Sequence, residues 1–200
     1  MGDTGERVLL TSLELFAQKG YEAASVSDIA GALGITKGAL YRHFRSKEAI
    51  FEAILARMEA RDAQAARDHD LPEWPAEGDD AAYETAAAAD IVAFSRTMFR
   101  YWTEDPFAAP FRRMLTLEQY RSPKMGRLYQ QYLAAGPLGY VADLFRARGL
   151  SDPERRAASF YGPMFLLYSV YDGAADKAPV TALLDEYLEL AKKELMEGER

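Results

Sequence analysis

The chain has 200 residues, 49% of them hydrophobic, 28% charged and 12% aromatic, and carries a formal net charge of -7. Without cysteine, and with only His43 and His69 as imidazoles, it has no disulfide framework, cysteine nucleophile, thiolate site or histidine-rich metal centre. No apolar run approaches the roughly 20 residues of a membrane span and the charged N-terminus lacks a signal-peptide core, so a cytoplasmic protein of one or two domains with no membrane partner is expected.

Alanine, leucine and glutamate dominate, and no alternating strand pattern bounded by turn residues occurs, so an all-α fold is expected. A first helix from about Thr4 buries Leu9, Leu13, Phe16 and Ala17 on one face and stops at Gly20. Ser25 and Asp28 form a capping box for a short second helix carrying Ile29, Ala30 and Leu33 inward as far as Gly34. Thr36 caps a third helix over Lys37 to Phe44, and Ser46 caps a fourth that runs through Ile50, Ile54 and Met58 towards Ala65. Residues 66–82 are rich in Pro, Gly and acids and read as a loop. Beyond them helices are expected over 83–104, 106–120, 123–148, 152–171 and 180–197. Gly136-Pro137 must kink or split the third of these. Ser151-Asp152-Pro153-Glu154 reads as a further capping box with proline in the first turn.

The informative stretch is Ser25 to Lys47, SVSDIAGALGITKGALYRHFRSK. Two short capped helices joined by Leu33-Gly34-Ile35-Thr36 match the helix-turn-helix plan. Ile29, Leu33, Ile35 and Leu40, with Phe16, can form its small core. The second helix of such a pair enters the major groove with its N-terminal residues at the base edges. Here those are Lys37, able to donate to guanine O6/N7 or to phosphate, Gly38, whose bare backbone permits close approach, and Ala39, whose methyl can meet a thymine methyl. Tyr41, Arg42 and His43 follow one turn on, within reach of flanking phosphates, and Thr36 can contact the DNA backbone besides capping. Ser25 and Ser27 at the start of the second helix complete this set. Lys47 opens the fourth helix, where the dipole disfavours a cation, so a phosphate partner is expected for it. Residues 1–50 hold six acids and six bases, so the rest of the chain carries the whole negative charge; Gly34 to Ile50 has four bases against one acid. A local basic patch on an acidic body is compatible with binding a polyanion.

Gly34 to Glu48, GITKGALYRHFRSKE, resembles the signature of the TetR family of bacterial repressors: a helix-turn-helix ending in Leu-Tyr-x-His-Phe and followed by x-x-Lys-Glu. Phe16 to Tyr21 and Ser25 to Ala30 resemble the same family, whereas residues beyond about 55 resemble it only in length and helicity. The resemblance implies a helix-turn-helix DNA-binding domain at 1–46 and a helical ligand-binding and dimerisation domain at 47–200. It also implies double-stranded operator DNA, a second copy of the chain and a small-molecule inducer as partners, with release of a palindromic operator as the action. No cofactor beyond that effector is expected.

In the second domain, apolar side chains at helical spacing make the core, and a pocket between helices suits a small ligand. Phe94, Met98, Trp102, Phe107, Phe111, Tyr120, Tyr129, Tyr132, Phe165 and Tyr168 are its candidate lining. Two last helices, apolar over more than one face through Ala157, Phe160, Met164, Leu167 and Tyr171 and through Leu183, Leu184, Tyr187, Leu188, Ala191 and Leu195, suggest a symmetric four-helix interface. An enzyme is the poorer reading: no Glu-x-x-His pair, Gly-x-Ser-x-Gly or phosphate-binding glycine loop occurs. An architectural DNA protein would be basic throughout. Activation in place of repression depends on operator position, which the sequence does not contain.

Overall fold

A computed structural model of the chain describes residues 3–69, 71–72 and 87–197. Among these, ten helices and no strand occur: α1 (Asp3–Lys19), α2 (Val26–Leu33), α3 (Lys37–Tyr41), α4 (Lys47–Asp68), α5 (Ala88–Glu104), α6 (Ala108–Glu118), α7 (Pro123–Leu133), α8 (Ala135–Ala147), α9 (Pro153–Gly173) and α10 (Ala178–Glu197). The fold is all-α, as the apolar periodicity requires. Two compact units form. The first combines residues 1–61 with 104–129, and the second combines 62–103 with 130–200.

In the first unit, α1 packs on α2 and α6. Its core is Leu9, Leu13, Phe16, Ile29, Leu40, Ile50, Phe51, Ile54 and Met58, all essentially without solvent contact. Leu33 and Ile35, expected to share this core, are only half-buried, because they flank the turn and one side of each faces solvent. Glu6 pairs with Arg57, whose guanidinium lies 4.0 Å from the Phe107 ring centroid. Asp105 Oδ1 accepts the Phe107 and Ala108 amides at 2.8 and 2.9 Å and so covers the exposed donors at the start of α6.

The second unit is tied together by tyrosine hydroxyls. The expected helix over 123–148 is split at Ala134, two residues before Gly136. A Cβ on Gly136 would lie 1.9 Å from Gln131 O, so only a glycine lets α8 begin this close to the end of α7. The break leaves carbonyls of α7 without helical donors, and Tyr161 donates its hydroxyl to Leu133 O at 2.9 Å. Pro163 inside α9 has no N–H for Ser159 O; the Tyr187 hydroxyl, from α10, lies 3.0 Å from Ser159 O and 2.7 Å from Phe160 O. Tyr140 donates to Pro72 O at 2.9 Å. Arg96 joins α5 to Asp185 and Glu189 of α10 at 2.6 and 3.2 Å.

Several expectations need correction. Residues 66–68, read as loop, are the last turn of α4; the proposed loop residues 70 and 73–82, and the helix start at 83–86, lie outside the described residues. The third helix ends at Tyr41, three residues early. Burial of Phe44 draws the chain inward, and the His43 and Phe44 amides both bond Leu40 O in a tightened turn. The capping box at Ser151–Glu154 does not form. Asp152 takes a left-handed conformation (φ 50°) with no side-chain cap, its carboxylate meets Arg155 at 3.0 Å, and Glu154 is drawn to Arg146 at 2.5 Å. Pro153 at the first helical position already removes one donor that a cap would serve.

Candidate nucleic-acid interface

The turn between α2 and α3 is built from local hydrogen bonds. Ser25 Oγ accepts the Asp28 amide at 3.1 Å while Asp28 Oδ2 accepts the Ser25 amide at 2.8 Å, a complete capping box. The Ser25 hydroxyl also donates to Asp28 Oδ2 at 2.6 Å. These bonds, first those from the Ser25 hydroxyl and amide, pull the Asp28 carboxyl down to about 2. Gly34 closes α2 with φ 66°, and its amide and that of Ile35 return to Gly31 O and Ala30 O. Thr36 Oγ1 then accepts the Ala39 amide at 3.1 Å and opens α3.

On α3, Leu40 is fully buried and Ala39 half-buried, while Lys37, Gly38, Tyr41, Arg42 and His43 are exposed. Tyr41 keeps 48% of its surface accessible, unusual for a large ring beside a core. A Cβ on Gly38 would meet only Thr36 Oγ1, at 3.9 Å, so nothing inside the protein requires glycine there. Thr36, Lys37, Gly38, Ala39, Tyr41, Arg42 and His43 therefore come together as one surface strip, with exposed Ser25 and Ser27 at the start of α2. Ser25 spends its hydroxyl on Asp28, a structural use that the sequence reading did not separate from contact with a partner.

Lys47 stands differently from its sequence-based expectation. Its ammonium donates to Tyr21 O at 2.7 Å and Glu22 O at 3.2 Å, and lies 4.4 Å from the Tyr21 ring centroid. A cation at a helix N-terminus is thus compensated by carbonyls and an aromatic face of the same unit; a phosphate is not needed to explain it. Tyr21 itself packs against Phe16 and Phe51, with centroids 5.0 and 4.9 Å apart. Burial, then the charges of Glu48, Glu22 and Glu52, pushes its phenol up to about 12. Tyr21 was legible only as part of a family-like stretch; its place under Lys47 was not.

The candidate pocket residues fall in both units. Trp102 and Tyr132 meet edge to face at 6.4 Å, Phe94 lies 6.0 Å from Tyr140, Tyr168 stacks on Phe99 at 5.2 Å, and Met98 is half-buried, all in the second unit. Phe107, Phe111 and Tyr129 are buried in the first unit instead. Tyr120, in the turn after α6, is 89% exposed, and Phe165 is exposed on α9 beside Leu166. Residues passed over include His69, whose imidazole is 3.0 Å from Thr97 Oγ1 and 5.9 Å from the Phe94 ring. Its position at the end of a helix that outran its expected length concealed it.

Comparison with known proteins agrees with this geometry. Residues 8–54 match the family described as bacterial regulatory proteins, tetR family. The chain is 50% identical over 50 residues to the HTH-type transcriptional regulator YerO of Bacillus subtilis (strain 168), a match covering 25% of this chain and 17% of YerO. It is 46% identical over 56 residues to the HTH-type transcriptional repressor KstR2 of Rhodococcus jostii (strain RHA1), covering 27% of this chain and 28% of KstR2. These matches thus span under a third of each relative. A structure of SmeT in complex with triclosan shares the fold over 97% of this chain and 90% of its own, with a TM-score of 0.61 at 18% identity. Residues 8–54 thus resemble the tetR family of bacterial regulatory proteins, and the chain as a whole shares its helical fold with that solved structure.

Proposed function

We propose that the chain is a ligand-responsive, sequence-specific DNA-binding transcriptional regulator that represses by holding a palindromic operator until a small-molecule inducer releases it. The observation that carries this reading is the surface strip of Thr36, Lys37, Gly38, Ala39, Tyr41, Arg42 and His43, whose start and turn are locally specified. In it Lys37, Gly38 and Ala39 read base edges, while Tyr41, Arg42 and His43 hold phosphates. Residues 1–46 act as the DNA-binding part and 47–200 as the part that binds the ligand and a second copy of the chain. Repression is supported by the repressor KstR2, and an inducer by the triclosan complex of SmeT. Homodimerisation through the last two helices is supported by a set of side chains other than most of those first expected. Phe160, Met164, Leu167, Leu184, Leu188 and Leu195 are covered within the chain, whereas Leu166, Val170, Leu183, Leu190 and Met196 remain exposed. Among the described residues no helix is long and apolar enough to cross a membrane, and a cytoplasmic site of action follows from the DNA target.

The test is selection of randomised double-stranded DNA by the purified chain, repeated with Lys37→Ala. Recovery of a two-fold symmetric motif, with base preference relaxed at one position of each half-site in the variant, is expected. Retention of no sequence, or of one asymmetric site, refutes the reading; an unchanged motif in the variant removes Lys37 from base recognition.

A further inference from the structure

Glu118 is a carboxylate with 1% of its surface accessible, at the end of α6 and 97 residues from the turn it serves. Its Oε1 accepts the Tyr21 amide at 3.2 Å and an Arg121 N–H at 3.0 Å. The approach is close: Gly20 sits at φ 88°, and a Cβ there would lie 2.4 Å from that same oxygen. Tyr21 is therefore held at both ends of its peptide, its N–H by Glu118 and its C=O by Lys47, with its ring clamped between Phe16 and Phe51. This residue lies in the connection from α1 to α2, and α2 leads into α3. A second tie from the same region, Lys124 to Glu48 at 2.6 Å, meets the first turn of α4 beside Lys47. A buried carboxylate is costly to place, and α6 spends one on a backbone amide of the α1–α2 turn.

The geometry points to Glu118 as a positioning residue for DNA binding, an inference that rests on the regulator reading above. By fixing the Tyr21 amide it holds the α1–α2 turn in the one arrangement that presents the five-residue α3 as a rigid unit. Without that acceptor the head stays folded on its apolar core, but the turn samples other arrangements. Apparent affinity then falls with the fraction of chains in the competent one. No phosphate contact is lost, so the salt dependence is unaltered.

The test uses the full chain and its selected operator with Glu118→Met, which keeps volume but offers no acceptor oxygen, and Glu118→Gln, which keeps one. Expected for Glu118→Met are a helical spectrum like wild type, faster hydrogen exchange of the Tyr21 amide, operator binding weaker by about tenfold and an unchanged salt slope. Glu118→Gln restores Tyr21 protection and binds within about threefold of wild type. A folded Glu118→Met that binds like wild type overturns the inference, and so does a Glu118→Gln as weak as Glu118→Met. If Glu118→Met does not fold, Glu118→Gln decides alone: lost Tyr21 protection with wild-type affinity overturns it, and retained protection with near wild-type affinity supports it. A wild-type chain that retains no DNA sequence fails the regulator reading, whereas a wild type that binds alongside an equally tight Glu118→Met fails only this inference.

Discussion

The helix-turn-helix and the second unit satisfy their backbone polar groups by opposite means. Between Ser25 and Ser46 each helix start is capped from three residues away: Ser25 with Asp28, Thr36 with Ala39, Ser46 with Ala49. In the second unit backbone carbonyls are met by tyrosines from far along the chain: Tyr161 reaches Leu133, Tyr187 reaches Ser159 and Phe160, and Tyr140 reaches Pro72, 68 residues distant. Both regions use lysine on a tyrosine face. Lys47 bonds the carbonyls of Tyr21 and Glu22, and Lys177 bonds those of Tyr171 and Asp172 while lying 4.8 Å from the Tyr171 ring centroid. Both lysines stand at a helix N-terminus, Lys47 opening α4 and Lys177 directly before α10, whose Val180 and Thr181 amides bond the Lys177 carbonyl, but the carbonyls Lys177 meets close α9, where a cation is favoured. A region specified by local bonds can keep its shape across proteins whose remaining sequence has diverged, consistent with a family match over residues 8–54 while the shared fold continues.

The comparison breaks most readily at the small core of the first unit. Phe16, fully buried, should cost about 3–5 kcal/mol when changed to Ala, read from the denaturant midpoint; a loss under about 1 kcal/mol would mean that local caps, not the core, hold the motif. Tyr161→Phe leaves Leu133 O without its donor and should cost about 1–3 kcal/mol. Hydrogen exchange should rise around Leu133 and Ala134; unchanged exchange there would show that the long-range hydroxyls are dispensable. Thr36→Ala removes one local cap at a cost of about 1 kcal/mol, with loss of protection confined to the start of α3; spread into α1 would deny the locality of the caps. The smallest effect is on pH. The folded Asp28 carboxyl titrates at about 2 against its ordinary 3.8, so its contribution is present at neutral pH and lost as pH falls from about 4 to about 2. Ser25→Ala should move that titration, followed by carboxyl chemical shifts, part of the way back towards 3.8; no movement would assign the shift to the residue-25 amide and to Lys19, which lies 3.4 Å from Asp28.

Much of the candidate site was legible because its determinants are short-range. The Ser25–Asp28 box, the left-handed Gly34 and the Thr36 cap each depend on residues within four positions, and periodicity alone separates buried Leu40 from exposed Lys37 and Tyr41. The split near Gly136 was legible for the same reason, since proline and glycine act on their own backbone. What surrounds these elements was not. Lys47 looked like a cation in need of a phosphate because the carbonyls that receive it belong to Tyr21 and Glu22, 26 and 25 residues earlier. Aromatic residues that looked alike along the chain were sorted by packing: Phe107 and Phe111 into the first unit, Trp102 and Tyr132 into the second, and Tyr120 into solvent. By itself the sequence determined the all-α fold, the caps of α2, α3 and α4 and the exposed residues of α3, since hydrogen bonds and steric limits within a turn need no distant partner. Only the tertiary structure decided what each helix buries and which carboxylate holds the α1–α2 turn, because those choices depend on residues that folding alone brings into contact.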